Sequence, residues 1–571
     1  MTVVARCSCS CLLVVFGLGL GGTVEAAETA DLVLRNGVVH TVDARKPRAD
    51  AVAVRGNRIV AVGSSAEVEA LVGPATKVVD LAGRTVVPGF DDSHAHLLGI
   101  GFKHLDLDLT DCRTFDEVVE RVAKAVKASK PGAWIRGEGW HEGKWTAPPR
   151  GAVRGMPTHD ALSRVSPQNP VALERADGHA TLVNARAMAE RRVTAATQAP
   201  SGGEILRDAR GQLTGVFVDN AQSLVMPPGR TGDDVRRAIT LAQDECLAKG
   251  VTSLTDAGEE LGELAILRDE ASAGALRVRL YVMAGGLKTM QALGAPQLGL
   301  GGGMLTVRAV KMYADGALGS RGAALLAPYS DDPGNRGLLV TPPETLLEAA
   351  RYALEHGWQM ATHAIGDRAN RIVLDTYARA FGEHPAVKDP RFRIEHAQIL
   401  DPADIPRFGR LGVIAAMQGT HCPSDRPWAP QRLGDARVAA GAYAWRKLLS
   451  SGARIINGTD APVEDVSPIA TFHATVTRED VAGQPPGGFD PGERLTRAEA
   501  LRTMTLDAAY GRFAEKSAGS IEVGKLADLT VLSQDLMTVP EQALMQTEVI
   551  ATIVNGRVRF ARAGSGFTAA R

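Results

Sequence analysis

The chain has 571 residues, of which 64 are basic, 65 are acidic and 45% are apolar. This length allows more than one domain and excludes a small disulfide-stapled scaffold. A formal net charge of -1 and a pI near 6.9 provide no electrostatic attraction for nucleic acid or for an anionic membrane surface. The composition therefore predicts a globular protein that does not bind nucleic acid.

The first 27 residues differ in composition from the rest of the chain. Arg6 supplies a positive charge, residues 12–22 form an apolar run, and residues 24–26 resemble a small-residue cleavage site. These features are typical of a signal peptide at 1–27. The apolar run is shorter than the ~20 residues of a spanning helix. We therefore expect an exported protein, periplasmic or extracellular, with no membrane segment in its mature form; an N-terminal membrane anchor is the alternative.

Both ends of the remaining chain carry short β patterns. Between residues 31 and 62, β-branched side chains cluster around Asn-Gly and Gly-Asn pairs, which are hairpin signals. A similar pattern returns between residues 527 and 557. Because neither half is large enough to be stable alone, we predict one composite β-sandwich built from residues 28–85 and 515–571.

Between these ends, short apolar runs alternate with helical patterns, which is typical of an α/β protein with a parallel sheet. Helices are predicted at 343–355, followed by Gly357, and at 496–509. Eight βα units predict a (β/α)8 TIM-like barrel over residues 86–514. The eight predicted strands are 86–90, 251–255, 278–283, 307–312, 360–363, 392–396, 413–417 and 455–459.

The first two predicted barrel strands are much farther apart in sequence than one βα unit requires. Residues 105–245 are therefore predicted to form an inserted subdomain after the first barrel strand. In a barrel, a segment that follows the carboxyl end of a strand emerges on the catalytic face. We expect this subdomain to cover the active site.

Histidine and aspartate recur at the ends of four predicted strands. His94 and His96 follow the first strand, His363 ends the fifth, His396 ends the sixth and Asp460 follows the eighth. In an extended backbone, residues two apart face the same way, so the His-x-His pair can reach one ion. Closing the barrel brings these strand ends around one mouth. The pattern therefore predicts a metal site assembled from distant parts of the chain.

Lys311 lies at the end of the fourth predicted strand. A protonated lysine cannot bind a cation, but a lysine carboxylated by carbon dioxide becomes an anionic bridge between two metal ions. This chemistry needs a buried, deprotonated amine. An ordinary ion pair with Asp315 is the alternative for this side chain.

Together these segments resemble the amidohydrolase superfamily, and most closely its YtcJ-like branch, which includes N-substituted formamide deformylases. The resemblance extends over nearly everything after residue 27 and implies a metal-dependent hydrolase with a TIM-like barrel and a composite β-sandwich. It rests on the segments 87–96, 362–369, 393–398, 458–462 and 519–529.

The resemblance implies two divalent metal ions, and Zn²⁺ is expected because the ligands are rich in nitrogen. His94 and His96 would bind the more buried ion, and His363 and His396 the more exposed one. Carboxylated Lys311 would bridge the two ions. The partner would be a small-molecule substrate, and the sequence leaves the oligomeric state open, a homo-oligomer included.

Asp460 would complete the first metal site and act as general base while metal-activated hydroxide attacks a carbonyl. The expected activity is hydrolysis of a non-peptide C–N bond, in an amide, a formamide or a related compound. Two alternatives are open. A mononuclear deaminase of the same superfamily tends to carry a Glu shortly after the fifth-strand histidine, where this chain has Ala-Ile-Gly-Asp. The second alternative is a non-catalytic exported binding protein.

Three more side chains are candidates for substrate binding. His179 and Trp140 lie in the predicted insertion, and Arg321 follows the fourth strand, where an arginine can clamp a carboxylate. Ordinary surface or core roles are assigned to the histidines His40, His104, His159, His356, His384, His421 and His473.

Overall fold

The structure, a computed structural model, describes residues 1–2 and 29–569. Apart from its first two residues, the predicted signal peptide at 1–27 lies outside the described residues. Within the described part of the chain, no helix combines the length and the apolar character needed to cross a membrane.

Eight parallel strands form the central barrel, and each pairs with its neighbour in chain order. The barrel closes where the chain leaving the last strand meets the first, since the Thr459 amide donates to the Asp92 carboxylate over 3.0 Å. This confirms the predicted (β/α)8 TIM-like fold. The strands are β1 Phe90–Ala95, β2 Val251–Glu259, β3 Arg279–Gly285, β4 Leu305–Tyr313, β5 Gln359–Ala364, β6 Arg393–His396, β7 Ile414–Gln418 and β8 Ile455–Gly458.

Helices connect and surround the barrel strands. The helix Pro343–His356 begins with Pro343 and ends at Gly357, whose φ of 77° is a left-handed conformation that glycine adopts readily. This helix agrees with the one predicted at 343–355. The other helices are Leu97–Lys103, Gly232–Ala248, Leu261–Ser272, Gly286–Leu293, Leu300–Gly303, Asp367–Glu383, Ile405–Leu411, His421–Asp425, Ala429–Leu433, Asp435–Gly441, Trp445–Ser450, Pro468–Thr477, Pro491–Glu493, Arg497–Thr503 and Leu506–Gly511.

Two further sheets join the chain ends in a β-sandwich. Thr85–Pro88 pairs antiparallel with Leu529–Leu532, so one sheet contains strands from both ends. Leu34 of the other sheet and Ile553 of the mixed sheet belong to one buried apolar cluster. In spatial order the first sheet is Arg58–Gly63, Ala51–Arg55, Leu32–Arg35 and Lys77–Asp80; the mixed sheet is Arg557–Ala561, Val549–Val554, Leu529–Leu532, Thr85–Pro88, Val38–His40 and Arg48–Ala49. The N-terminal segment also contains the helix Ser65–Glu69, and the C-terminal segment contains the helix Glu541–Gln546.

A six-stranded sheet is inserted after β1, as the fold prediction required. The helix Gly232–Ala248 then returns the chain to the barrel, where the Ala238 backbone packs so closely on Gly101 that a side chain there would clash. The inserted strands, in spatial order, are Gly203–Arg207, Leu213–Asp219, Ala180–Val183, Val171–Arg175, Ile135–Trp140 and Leu107–Asp108. The helices of the insertion are Phe115–Ala128, Glu142–Lys144, Asp160–Val165, Ala185–Glu190 and Asn220–Leu224.

The first barrel strand lies later in the sequence than predicted. Residues 86–90 were expected to form it, but Thr85–Pro88 belongs to the β-sandwich and β1 begins at Phe90. The Gly89 amide donates to Asp528 of the sandwich over 2.8 Å, so the chain passes from one sheet to the other at this glycine. The apolar run therefore contains parts of two strands.

The helix predicted at 496–509 is divided into Arg497–Thr503 and Leu506–Gly511. The Met504 carbonyl accepts a hydrogen bond from the Asp91 amide of β1 over 2.9 Å instead of continuing the helical pattern. A tertiary contact with the barrel thus interrupts a helix that the periodicity alone would continue.

Replacing Ile553 by alanine should lower the free energy of unfolding by about 2–5 kcal/mol, because this side chain is fully buried between the two sandwich sheets. Val523→Ala is the control, since Val523 is 65% exposed in the same C-terminal segment. Its effect should stay within about 0.5 kcal/mol. Denaturant unfolding of both variants makes the comparison, and equal stability would contradict the sandwich.

Candidate metal centre

The six predicted ligands all lie at the carboxyl ends of barrel strands, where barrel enzymes place their chemistry. They are His94 in β1, His96 just after it, Lys311 in β4, His363 in β5, His396 at the end of β6, and Asp460 two residues after β8.

Asp460 lies at the seam between β1 and β8. Its amide donates to the His94 carbonyl over 2.6 Å. Its φ of 58° is a left-handed conformation, which is uncommon for a residue other than glycine and concentrates at functional sites. The Asp460 Oδ1 atom is 3.4 Å from His94 Nε2 and 3.2 Å from His96 Nε2. The carboxylate and the two histidines therefore face one point.

The remaining predicted ligands join the same cluster. The ring centroids of His363 and His396 are 4.5 Å apart, and those of His396 and His94 are 5.0 Å apart. Lys311 is only 2% exposed, and its Nζ lies 3.3 Å from His94 Nε2. The barrel thus brings together side chains that are hundreds of residues apart in sequence.

Two of the histidines are oriented by neighbours behind them. The Nδ1 atom of His94 pairs with the Glu395 carboxylate, which is itself held by Arg393 Nη2 at 2.8 Å. His396 Nδ1 lies 2.8 Å from Gln418 Oε1. Such partners fix the tautomer and the direction of a ligating imidazole. In both rings Nε2 is left for the centre of the cluster.

Burial and hydrogen bonding set the charges of the cluster. Burial lowers the pKa of His363 and of His396 well below the usual histidine range, so both rings are neutral, as metal binding requires. Burial alone would raise the pKa of Asp460, but hydrogen bonds from the β1 histidines hold it well below its usual range. Burial also lowers the pKa of Lys311 to about 8, against the opposing effect of nearby carboxylates.

One subset of these atoms is close enough to bind a single ion. The ligand atoms of His94, His396 and Asp460 all lie within 4.8 Å of one another, and the three residues are buried. Imidazole nitrogens with a carboxylate oxygen form a donor set that Zn²⁺ accepts. The residues therefore fit a divalent metal. This grouping places a β1 histidine with the β6 histidine, which the family resemblance assigns to different ions.

A cavity opens over the cluster and is covered partly by the inserted subdomain. His363, His396 and Asp460 lie among its lining residues. The subdomain contributes His141, Asp177 and His179, and the barrel loops contribute the apolar side chains of Leu318, Trp428 and Val463. A substrate would therefore contact both parts of the molecule. Of the predicted substrate-binding residues, His179 is in this lining.

Trp140 lies elsewhere, which corrects its assignment. Its indole is stacked on Trp145, with ring centroids 6.1 Å apart, and its Nε1 donates to the Leu173 carbonyl over 2.8 Å. Both interactions are inside the apolar core of the inserted subdomain. Trp140 therefore stabilises the subdomain and does not reach the cavity.

Arg321 is also corrected. Its Nη2 lies 2.8 Å from Asp331 Oδ2, and its Nη1 donates to the Arg154 carbonyl over 3.3 Å. The guanidinium is thus already paired and bridges to the inserted subdomain. Its sequence position after β4 could not show that its guanidinium pairs with the carboxylate of Asp331.

His421 is a site residue to which the sequence analysis gave no role. It follows β7, and its Nε2 lies 3.7 Å from Asp460 Oδ2. Its ring is stacked parallel to that of His396, with centroids 6.1 Å apart. Nε2 is buried and has no hydrogen-bond partner among the described residues. The position just after a barrel strand is the signal that could have identified it.

Comparison with known proteins agrees with this geometry. Residues 77–560 match the amidohydrolase family. The chain belongs to the amidohydrolase family. It is 33% identical to the putative amidohydrolase YtcJ of Bacillus subtilis (strain 168), over 92% of this chain and 98% of that protein. It is 31% identical to the N-substituted formamide deformylase of Arthrobacter pascens, over 94% and 99%.

Solved structures give the same assignment. The crystal structure of an uncharacterized metal-dependent hydrolase from Pyrococcus horikoshii has a TM-score of 0.71 and 26% identity, covering 89% of this chain and 99% of that one. The predicted family resemblance is confirmed, and the protein is an enzyme, a metal-dependent hydrolase of amidohydrolase type.

Replacing Gln418 by methionine should weaken metal binding by about 10–100-fold, because His396 loses the acceptor that orients its ring. Gln359→Met is the matched control. Gln359 is buried at the start of β5 and donates to Arg391 and Gly511 carbonyls, so its loss should affect stability but not metal affinity. Zinc titration against a competing chelator measures both variants, and equal zinc affinities would contradict the proposed orientation.

Proposed function

We propose that this protein is a binuclear hydrolase that cleaves a non-peptide C–N bond in a small amide or formamide. The observation that carries the proposal is the position of Lys311, whose Nζ lies 3.3 Å from His94 Nε2 in a buried cluster of metal-ligand side chains. An ammonium group there would repel metal ions, whereas a carbamate would bridge two of them. The similarity to the formamide deformylase of Arthrobacter pascens supports the bond class.

The donor set supports an assignment of the two ions. One ion would be held by the β1 histidines and Asp460, the other would be held by His363 and His396, and carboxylated Lys311 would supply anionic oxygen ligands to both. Zn²⁺ is the proposed metal because imidazole nitrogens dominate the donors. The rings of His94 and His396 are 5.0 Å apart, so the two histidine pairs lie in one cluster.

The residues of this chain supply positioning and proton transfer. Bound divalent ions would polarise the substrate carbonyl and lower the pKa of water. Asp460 lines the cavity, and its buried carboxylate lies beside the β1 histidines, so it can accept the proton of an attacking water. The same carboxyl then donates that proton to the departing nitrogen. The apolar wall at Leu318, Trp428 and Val463 would hold the carbon part of the substrate.

The placement of Asp367 argues against the mononuclear deaminase. In such enzymes a carboxylate shortly after the β5 histidine would face the reaction centre. Asp367 is the acidic residue that follows β5 here, and its Oδ1 accepts hydrogen bonds from the Leu326 and Arg368 amides at 2.8 and 2.9 Å. Its carboxylate is therefore engaged in shaping the loop.

Replacing Asp460 by asparagine should lower turnover by about 10²–10⁴-fold, because a positioned proton acceptor is lost. Most of the metal should remain, since the histidine nitrogens are unchanged. His363→Ala should instead lose metal together with activity. Elemental analysis and steady-state kinetics make the comparison, using an amide found by screening the zinc-loaded enzyme with N-acyl, N-formyl, cyclic amide and ester compounds.

His356→Ala is the matched control for the histidine variant. His356 is exposed at the end of its helix and stacks on Tyr352, so its loss should change neither metal content nor turnover. Near-wild-type turnover in Asp460→Asn would contradict the assignment of Asp460 as base. A wild-type enzyme that hydrolyses none of the four compound classes would contradict the proposed function itself.

We also propose that the protein is exported. The support is the sequence pattern of residues 1–27. Expressed with this segment, the protein should accumulate in the periplasm or medium and begin near residue 28; without it, the protein should stay in the cytoplasm. N-terminal mass spectrometry of each fraction gives the answer, and a full-length chain confined to the cytoplasm would contradict export.

A further inference from the structure

The loop after β4 receives two charged side chains from the inserted subdomain. A Cβ atom at Gly316 or Gly322 would clash with the Asp219 carboxylate, and one at Gly319 would lie 2.8 Å from Arg175 Nη2. None of the three glycines has a positive φ, so close approach, and not backbone conformation, requires glycine here. The subdomain is therefore seated on the barrel through Asp219 and Arg175.

Asp219 connects this contact to the active site. It is the last residue of the strand Leu213–Asp219 and is 7% exposed. Its Oδ1 atom lies 2.6 Å from His179 Nδ1, and its amide donates to the His179 carbonyl over 3.0 Å. Its φ of 49° is left-handed, a conformation that costs free energy in a residue other than glycine. The loop and the backbone together hold the carboxylate against the His179 ring.

His179 faces the metal cluster from the side of the subdomain. It lines the cavity, and its ring centroid is 4.8 Å from that of His363. With Nδ1 engaged by Asp219, Nε2 is the ring nitrogen left for the cavity. His94 has the same arrangement, with Nδ1 on Glu395. A carboxylate behind an imidazole fixes its tautomer and its direction.

We propose that His179 Nε2 contacts the scissile amide of the substrate and that Asp219 is its positioning residue. The inserted subdomain then completes the active site, and it does so only while Asp219 is seated against Gly316 and Gly322. The substrate class in this inference rests on the proposed function; the contact and its positioning rest on the geometry.

The test combines two variants of His179 with one of Asp219. His179→Phe keeps a ring but removes both nitrogens, and should lower kcat/KM by about 10–100-fold, the value of a hydrogen bond to a reacting group. Most of this decrease should be in kcat and not in KM, because Nε2 contacts the amide that reacts. His179→Gln, whose side-chain amide can reach the Nε2 position, should retain part of the kcat/KM that His179→Phe loses.

Asp219→Asn should lower kcat/KM in the wild-type background, with metal content and melting temperature unchanged. In the His179→Phe background it should have no further effect, because Asp219 acts through the ring that is already absent. Equal losses in both backgrounds would overturn the positioning role. Asp208→Asn is the matched control. Asp208 lies in a turn of the same subdomain, and among the described residues its carboxylate accepts hydrogen bonds only from the Arg210 and Gln212 amides.

A binding measurement separates this inference from the proposed function. Acetohydroxamate, which carries a carbonyl oxygen and an N–H in one small group, is titrated calorimetrically into the zinc-loaded protein. We expect about tenfold weaker binding to His179→Phe and unchanged binding to Asp208→Asn. If the three proteins bind acetohydroxamate with these relative affinities but the wild type hydrolyses no amide, the proposed function fails and the His179 contact stands. If His179→Phe equals wild type in both assays, the contact is overturned.

Discussion

The seam between β1 and β8 is the constraint on which the rest of the site depends. The Asp92 carboxylate accepts hydrogen bonds from the Thr459 amide and hydroxyl at 3.0 and 2.6 Å, and so joins the first and last barrel strands. The residue after Thr459 adds a second link, because the Asp460 amide donates a hydrogen bond to the His94 carbonyl. Without this closure, a histidine of β1 and the aspartate that follows β8 could not face one ion.

Behind the seam, buried charged side chains hold imidazole rings of the site in place. Arg393 and Glu395 are fully buried, and they form an ion pair that supports His94 from behind. Removing one partner of such a pair leaves an uncompensated buried charge, which is strongly destabilising. Compared with apolar residues of the same size, however, an intact buried ion pair adds little net stability, because desolvation offsets its Coulombic attraction. Its specific contribution here is the direction of the His94 ring. On the side of the subdomain, Asp219 holds His179 by the same physical means.

The barrel and its ligands could be predicted because they follow local rules. His363 and His396 lie at the carboxyl ends of β5 and β6, so strand register places them at one mouth of the barrel. The start of β1 at Phe90 was misplaced, since the apolar residues 86–88 that precede it belong to the sandwich strand Thr85–Pro88. The helical periodicity of residues 496–509 also could not show that the Met504 carbonyl accepts a hydrogen bond from the Asp91 amide of β1.

The substrate residues were predicted less well, because loops and insertions set their positions. Trp140 donates to the Leu173 carbonyl in the subdomain core, and Arg321 donates to the Arg154 carbonyl; both positions depend on tertiary contacts that no spacing encodes. His421 was missed although it follows a barrel strand, as Asp460 does. It begins a short helix and is not part of a His-x-His pair, so no motif singled it out. Asp219 is remote in sequence from every other site residue, so only the fold could place it.

The most direct test of the account is anomalous diffraction at the zinc edge from crystals of the zinc-loaded protein. The account predicts two peaks, one about 2.0–2.2 Å from the β1 histidines and Asp460, and the other at that distance from His363 and His396. Density continuous with Lys311 Nζ should lie between them. A single peak, or peaks remote from either pair of histidines, would contradict the binuclear centre.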